Sequence, residues 1–273
     1  MELVVFDLDG TLLDGTSQIS PFTRETLRLL TGRGIAFTVA TGRNRYSAQD
    51  IIHGHGFVLP HIYTNGVLVW DPRIESLSLA NFLTVPEADH VVRAAAHADL
   101  TPFVHTVDDE YRHAIFHPPL RHRAEENLLA VFTSRTATPV HPLQQMPGNA
   151  QITNINMLGE PAAVEKVERD ISNEAHLVAY SGPAIENRSL KWIDIHHSNA
   201  SKGNAVTALR EQLGITRTLC FGDGDNDLSM FAIADESYAP ENAAADIRTA
   251  ATAVIGHHDS DGVAKFLRER FDL

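Results

Sequence analysis

The sequence predicts an α/β protein with a Rossmann-like, doubly wound parallel-sheet core interrupted by an inserted α+β module. Three observations carry this expectation. Apolar runs stop abruptly at polar residues: Val4-Val5-Phe6 at Asp7, Ile35–Ala40 at Thr41, and Arg217–Phe221 at Gly222-Asp223. Helical sequence separates the first two runs, the spacing of a right-handed β-α-β crossover in a sheet buried on both faces. From about residue 83 to about residue 187 the pattern changes to an alternation of its own.

Composition sets the limits. At 273 residues the chain holds one large or two ordinary domains, and 43% hydrophobic residues suffice for a proper core. The single Cys220 excludes an intramolecular disulfide, agrees with a reducing compartment, and lies in the apolar run Thr218–Phe221, where a buried thiol is expected. The first strand begins at the N-terminus, which leaves no room for a signal peptide, and no apolar run approaches the roughly 20 residues that span a bilayer. A cytoplasmic protein with no membrane partner is expected. The net charge of −13 argues against nucleic-acid binding, so an anionic substrate has to be drawn by local cations.

The elements follow in order. Val4–Phe6 is a buried strand ending in Asp7-Leu8-Asp9-Gly10-Thr11, and Gly10 permits a sharp turn. Two neighbouring carboxylates repel each other, so this strand end calls for a cation. Ser20-Pro21 opens a helix with Ser as N-cap and Pro in its first turn; Leu27 and Leu30 form its apolar stripe, and Gly32 and Gly34 end it. Ile35–Ala40 then runs into Thr41-Gly42-Arg43, a hydroxyl and a guanidinium fork beside the first strand end. A helix near Ser47–His53 precedes a strand at His61–Thr64. Asn65-Gly66 is a hairpin turn, with Val67–Trp70 as the return strand; Asn65 is read first as a turn former and second as a substrate contact.

Thr84-Val85-Pro86-Glu87 is a capping box that opens the inserted module. Strands are expected at Pro102–Val107, Tyr111–Phe116, Gln151–Leu158 and His176–Ser181, and helices near Arg121–Leu129 and at Pro161–Ile171. The strand Leu190–Ile195 is expected to return to the core. Ser201 then caps the helix Lys202–Leu213, and a Lys in a first helical turn opposes the macrodipole unless it faces anions. The fifteen His are expected mainly at the surface, and His196-His197 points to opposite sides of a strand, so no His-ligated metal is expected.

After Phe221 comes Gly222-Asp223-Gly224-Asp225-Asn226-Asp227, followed by a helix with Leu228, Met230 and Phe231 on its apolar face. A calcium loop would need Gly and Glu where Leu228 and Ala234 stand. Glu241–Ala244 begins another helix, Val254-Ile255 is a short strand, and Asp261–Ala264 leads the last helix.

Asp7-Leu8-Asp9-Gly10-Thr11 resembles the first motif of the haloacid dehalogenase (HAD) superfamily, and Gly222-Asp223-x-x-Asn226-Asp227 resembles its fourth. With Thr41 and Lys202 between them in order, the chain is similar throughout to the Cof-like hydrolases of type IIB. The resemblance implies a C2B-type cap at 83–187 inserted into a core of 1–82 and 188–273. It also implies a Mg²⁺-dependent phosphatase of small phosphorylated metabolites, acting through an aspartyl-phosphate. Asp7 would be the nucleophile and Asp9 the acid/base. Asp7, Asp9 (through its backbone carbonyl), Asp223 and Asp227 would hold the metal, the last directly or through water. Thr41, Gly42, Arg43, Lys202 and Asn226 would bind substrate or phosphate. A monomer or weak homodimer is expected. A phosphomutase or dedicated sugar-phosphate phosphatase is the enzymatic alternative, and a non-catalytic phosphometabolite sensor the other.

Overall fold

A computed structural model describes residues 2–136, 138–184 and 187–273, with the side chains of 134–136 left aside. It divides into two compact units, residues 1–80 with 200–273 and residues 81–199.

The first unit contains β1 (Glu2–Phe6), α1 (Pro21–Gly32), β2 (Ala36–Val39), α2 (Arg45–Ile52), β3 (His61–Tyr63), β4 (Leu68–Asp71) and β5 (Ser76–Ala80). The second contains α3 (Val85–His97), β6 (Phe103–Val107), β7 (His113–His117), α4 (Arg123–Thr136), β8 (Val140–Pro142), β9 (Gln151–Gly159), α5 (Pro161–Ile171), β10 (Leu177–Pro183) and β11 (Lys191–His197). The first unit resumes with α6 (Lys202–Leu213), β12 (Arg217–Phe221), α7 (Leu228–Phe231), β13 (Glu236–Pro240), α8 (Ala245–Ala250), β14 (Ala253–Ile255) and α9 (Gly262–Phe271).

The core sheet is parallel throughout, in the order β14-β13-β12-β1-β2. Alternation along β1 and β12 feeds both faces. Val5 and Cys220 join Ala205, Leu209 and Met230 on one side. On the other, Phe6 packs against Phe37 and Phe221, and Phe221 against Phe266 of α9. Each fully buried side chain of this size contributes about 1.5–3 kcal/mol. Phe6 pairs with Phe221 in register, so Asp7 and Gly222-Asp223 leave the sheet side by side. Ligands of open α/β sheets bind at such carboxyl ends. The expected hairpin forms between β3 and β4, and β5 extends it.

The second unit is a six-stranded sheet ordered β10-β11-β9-β6-β7-β8. Val91, Val164 and Val167 of α3 and α5 pack on Val104, Ile155 and Ile193. On the other face Phe132 of α4 meets Phe103 and His105.

One expectation is corrected, with the boundaries that depended on it. The strand at 190–195 does not return to the core: β11 pairs antiparallel with both β9 and β10. The second unit therefore ends at Asn199, not at 187, and begins at Asn81, not at 83. The histidines lie mainly outside the core, as expected, but His61, His105, His113 and His196 are buried. His105 and His113 face each other across β6 and β7, with Nδ1 of the first 2.9 Å from Nε2 of the second. Among the described residues no helix is long and apolar enough to cross a membrane.

Candidate active site

The site grows from the ends of β1 and β12. Asp7 continues β1 with extended backbone, and its N–H donates to the Phe221 carbonyl at 2.8 Å. The chain then folds into a wide turn over Leu8–Leu12, with Gly10 at φ +74°. Gly10 has a second constraint: a Cβ there would collide with the Asp223 carboxylate. The turn delivers the Thr11 hydroxyl to Asp223 Oδ1 at 2.9 Å.

Lys202 is wholly buried. Its Nζ donates to Asp7 Oδ1 and to Asp227 Oδ1, each at 2.6 Å. Ser201 caps α6 by accepting the Asn204 N–H at 3.0 Å, which fixes Lys202 at the helix start. The misplaced charge in the first helical turn thus has its reason in two carboxylates. Asp227 is held in turn by the N–H groups of Asp223 and Gly224, both 2.9 Å from its Oδ2.

The charges do not balance locally. Burial opposes the Lys202 charge, but Asp227 and Asp7 hold its ammonium well above the usual lysine range. Burial pushes the Asp7 carboxyl well up, and the charges of Asp227 and Asp223 add to this against the pull of Lys202. Burial and the Asp227 charge also push Asp223 up to about 6. Asp7, Asp223 and Asp227 offer oxygens that all lie within 4.8 Å of one another. Such an excess of carboxylate oxygen fits a hard divalent cation such as Mg²⁺. Glu87 with His176 and His197, and His257 with His258 and Asp259, come equally close, but with more exposed residues and nitrogen donors.

Asp9 stands apart from this group. Its exposed carboxylate is gripped by Arg43, Nε to Oδ2 at 2.6 Å and Nη2 to Oδ1 at 2.5 Å. Arg43 also donates to the Ser47 carbonyl at 3.2 Å. Thr41 is buried, and its hydroxyl accepts the Arg43 N–H at 3.1 Å. Gly42 is close to Asn65: a Cβ on Gly42 would lie 3.2 Å from Asn65 Oδ1. Asn226 Nδ2 donates to that same Asn65 oxygen at 2.8 Å.

Asn65 is the expected turn residue, at φ +54°, and its side chain accepts from Asn226. Gly66 follows at φ +97°, where a Cβ would run into the Ser201 carbonyl and push the hairpin off α6. Two participants lay outside the sequence-based set. Thr11 sits within the first motif but went unassigned. Asn242 donates to the Gly10 carbonyl at 2.8 Å and accepts the His258 N–H at 3.1 Å. The signal for Asn242 was its place in a helix-opening stretch, which said nothing of its partner.

A sequence model of haloacid dehalogenase-like hydrolases matches residues 4–267. The chain belongs to the haloacid dehalogenase-like hydrolases. Among its relatives is the HMP-PP phosphatase of Serratia proteamaculans, 28% identical over 97% of this chain and 94% of that one. Another is the 5-amino-6-(5-phospho-D-ribitylamino)uracil phosphatase YitU of Bacillus subtilis, 27% identical over 99% of this chain and 98% of that one. The chain also matches the chloroplastic endoribonuclease YBEY of Arabidopsis thaliana at 24% identity, spanning only 44% of its length. The solved structure of the HAD subclass IIB sugar phosphatase BT4131 superposes with a TM-score of 0.79 at 20% identity, covering 100% of this chain and 99% of that one, which shows the shared fold. The expected phosphoric monoester hydrolase class is the activity carried in the names of the phosphatase relatives.

Proposed function

We propose that this HAD-like hydrolase is a Mg²⁺-dependent phosphatase of small phosphorylated metabolites, and that Asp7 is its nucleophile. The observation that carries the reading is Lys202: one buried ammonium bridges Asp7 and Asp227 while the Asp223 carboxylate closes the same cluster. A non-catalytic binder needs neither a nucleophile nor an acid, and this chain places Asp7 and Asp9 two residues apart.

The chemistry then divides among the chain's own groups. An Asp7 oxygen attacks phosphorus in line, and the bond from phosphorus to the leaving oxygen breaks. Asp9 gives its proton to the departing alcohol, then takes one from the water that splits the aspartyl-phosphate. Thr41, Arg43 and Lys202 supply donors for the phosphoryl oxygens, and the backbone N–H groups of Asp223 and Gly224 keep Asp227 in place. Asp7, Asp223, Asp227 and the Asp9 carbonyl would hold Mg²⁺, which would supply charge neutralisation for the phosphoryl group.

Residues 81–199 act as the cap that selects the leaving group. They contain none of the groups assigned to phosphate or metal, while the phosphatases named above act on unlike phosphorylated compounds by their names. A monomer or weak homodimer in the cytoplasm remains the working expectation. The test is a panel of phosphorylated metabolites, including phosphorylated cofactors and sugar phosphates, assayed for inorganic phosphate with Mg²⁺. Release of phosphate from a subset supports the reading. Phosphate migration within a sugar, or binding without turnover, contradicts it.

A further inference from the structure

A cavity of about 510 Å³ opens in the first unit between α2 and the β3–β4 hairpin. Its size falls in the range that holds small molecules. Arg45, Gln49, Phe57, Tyr63 and Trp70 line it, with Glu75 also in the lining. None of these residues belongs to the carboxylate cluster.

Arg45 is the unusual group. Its guanidinium carbon stands 3.6 Å above the Trp70 ring centre. Its Nε is buried and donates to nothing. Among the described residues it forms no ion pair with a carboxylate, Glu75 included. Asp71, the nearest acid along β4, is engaged instead by Arg73 at 2.5 Å. The floor is satisfied differently: the Tyr63 hydroxyl lies 3.0 Å from His61 Nδ1, and His61 Nε2 lies 3.1 Å from the Phe57 carbonyl. Burial holds His61 below the usual histidine range, so it is neutral and leaves Arg45 as the cation of the inner wall. A planar fork of donors against an indole, in a cavity with phenyl and phenol walls, complements a planar anion.

We propose that this cavity binds a small aromatic carboxylate, its carboxylate on Arg45 and its ring against Trp70, and that this ligand regulates the active site. Both walls lead there directly. Arg45 follows Thr41-Gly42-Arg43-Asn44, and Asn44 caps α2 by accepting the Ser47 N–H at 2.9 Å. Tyr63 precedes Thr64-Asn65-Gly66, whose Asn65 contacts Asn226. A ligand that pulls on the first turn of α2 therefore acts on the segment carrying Arg43.

The probe is 2-naphthoate, and the reporter is Trp70 fluorescence in a Trp192→Phe background, which leaves one tryptophan. Saturable quenching is expected, weakened at least tenfold by Arg45→Gln, weaker for the neutral 2-naphthamide, and unchanged by saturating inorganic phosphate. Gln49→Phe, at an exposed position of α2 that lines the cavity, should block the probe without disturbing the fold. The rate of phosphate release should change with the same midpoint as the quenching, and not in Arg45→Gln, whose basal rate stays the same. Non-saturable quenching, equal binding to both variants, or displacement by phosphate would overturn the site. Binding with no change in rate or KM would overturn its regulatory role. The binding arm needs no turnover, so its outcome stands whether or not the phosphatase reading does.

Discussion

Arg43 grips both carboxylate oxygens of Asp9, at 2.5 and 2.6 Å, although 34 residues separate the two in the chain. The fork links the two roles assigned to these residues. With both oxygens engaged, Asp9 has none free to pass a proton to a leaving group. On the proposed reading, substrate phosphate would compete for the same guanidinium and so release Asp9 for acid/base work. Arg43→Lys keeps the charge and loses the fork. It should lower kcat/KM by about 10- to 100-fold, the worth of one charged hydrogen-bonding contact. Asp9→Asn should show a burst of aryl alcohol with an activated aryl phosphate, because departure then needs no proton and the second step stays slow. Steady-state and burst kinetics of both variants check this; the absence of a burst, with equal loss on good and poor leaving groups, counts against Asp9.

Lys202→Met removes the cation from between two buried carboxylates. Without Mg²⁺ it should cost about 3–5 kcal/mol, read from urea unfolding, because the partners stay buried and unpaired. Adding Asp227→Leu should recover part of that loss, since it removes one of the stranded charges. A metal-free Lys202→Met protein as stable as wild type would refute the bridging role.

On the proposed reading, Asp223 would tie metal binding to pH. Its carboxyl is raised to about 6 from an ordinary 3.8, so the folded state holds an extra proton between those values. Metal-free stability should therefore fall as pH rises through that window. Asp223→Asn should stabilise the metal-free protein at pH 7 by about 1–3 kcal/mol, and the gain should vanish in saturating Mg²⁺. Mg²⁺ affinity of the wild type, measured by calorimetry, should rise with pH through about 6. Chelation should abolish turnover and Mg²⁺ restore it. Full activity in excess chelator would remove the metal from the reaction.

His113, in the second unit, has the opposite pH response. Burial pushes His113 down to about 4 from 6.5, so the unfolded chain takes up a proton first as pH falls. The stability this neutral ring supplies is complete above pH 6.5 and is lost on going down to about pH 4, at most about 3 kcal/mol. His113→Gln keeps hydrogen-bonding capacity without the titration. Its unfolding free energy should fall less steeply over that window than the wild type's, and parallel curves would contradict the assignment.

What the sequence disclosed and what it hid have physical reasons. The ends of β1 and β12 were legible because an apolar run that stops at an acid is a local signal. Lys202 was legible as a charge in the wrong turn of a helix. The placement of β11 was not, because nothing local in Lys191–His197 names its sheet and its partners in β9 lie about thirty residues earlier or more. β13, Glu-Ser-Tyr-Ala-Pro, was hidden by its polar start and terminal Pro. The fork of Arg43 on Asp9 and the bond of Asn226 to Asn65 depend on strand order, which no local pattern states. No local pattern marks the buried histidines: His105 is partnered across strands by His113, whereas His61 is held within its own segment by Tyr63 and the Phe57 carbonyl.

The most direct test of the central claim is to trap the covalent intermediate on Asp7. Wild-type protein is mixed with a phosphorylated substrate and Mg²⁺, quenched within one turnover, and reduced with borohydride, which converts an acyl-phosphate to an alcohol. Peptide mass spectrometry should then find homoserine at position 7 and aspartate at positions 9, 223 and 227, with Asp7→Asn giving neither homoserine nor turnover. Rapid turnover with no reducible adduct, or homoserine at another position, would contradict an aspartyl-phosphate on Asp7.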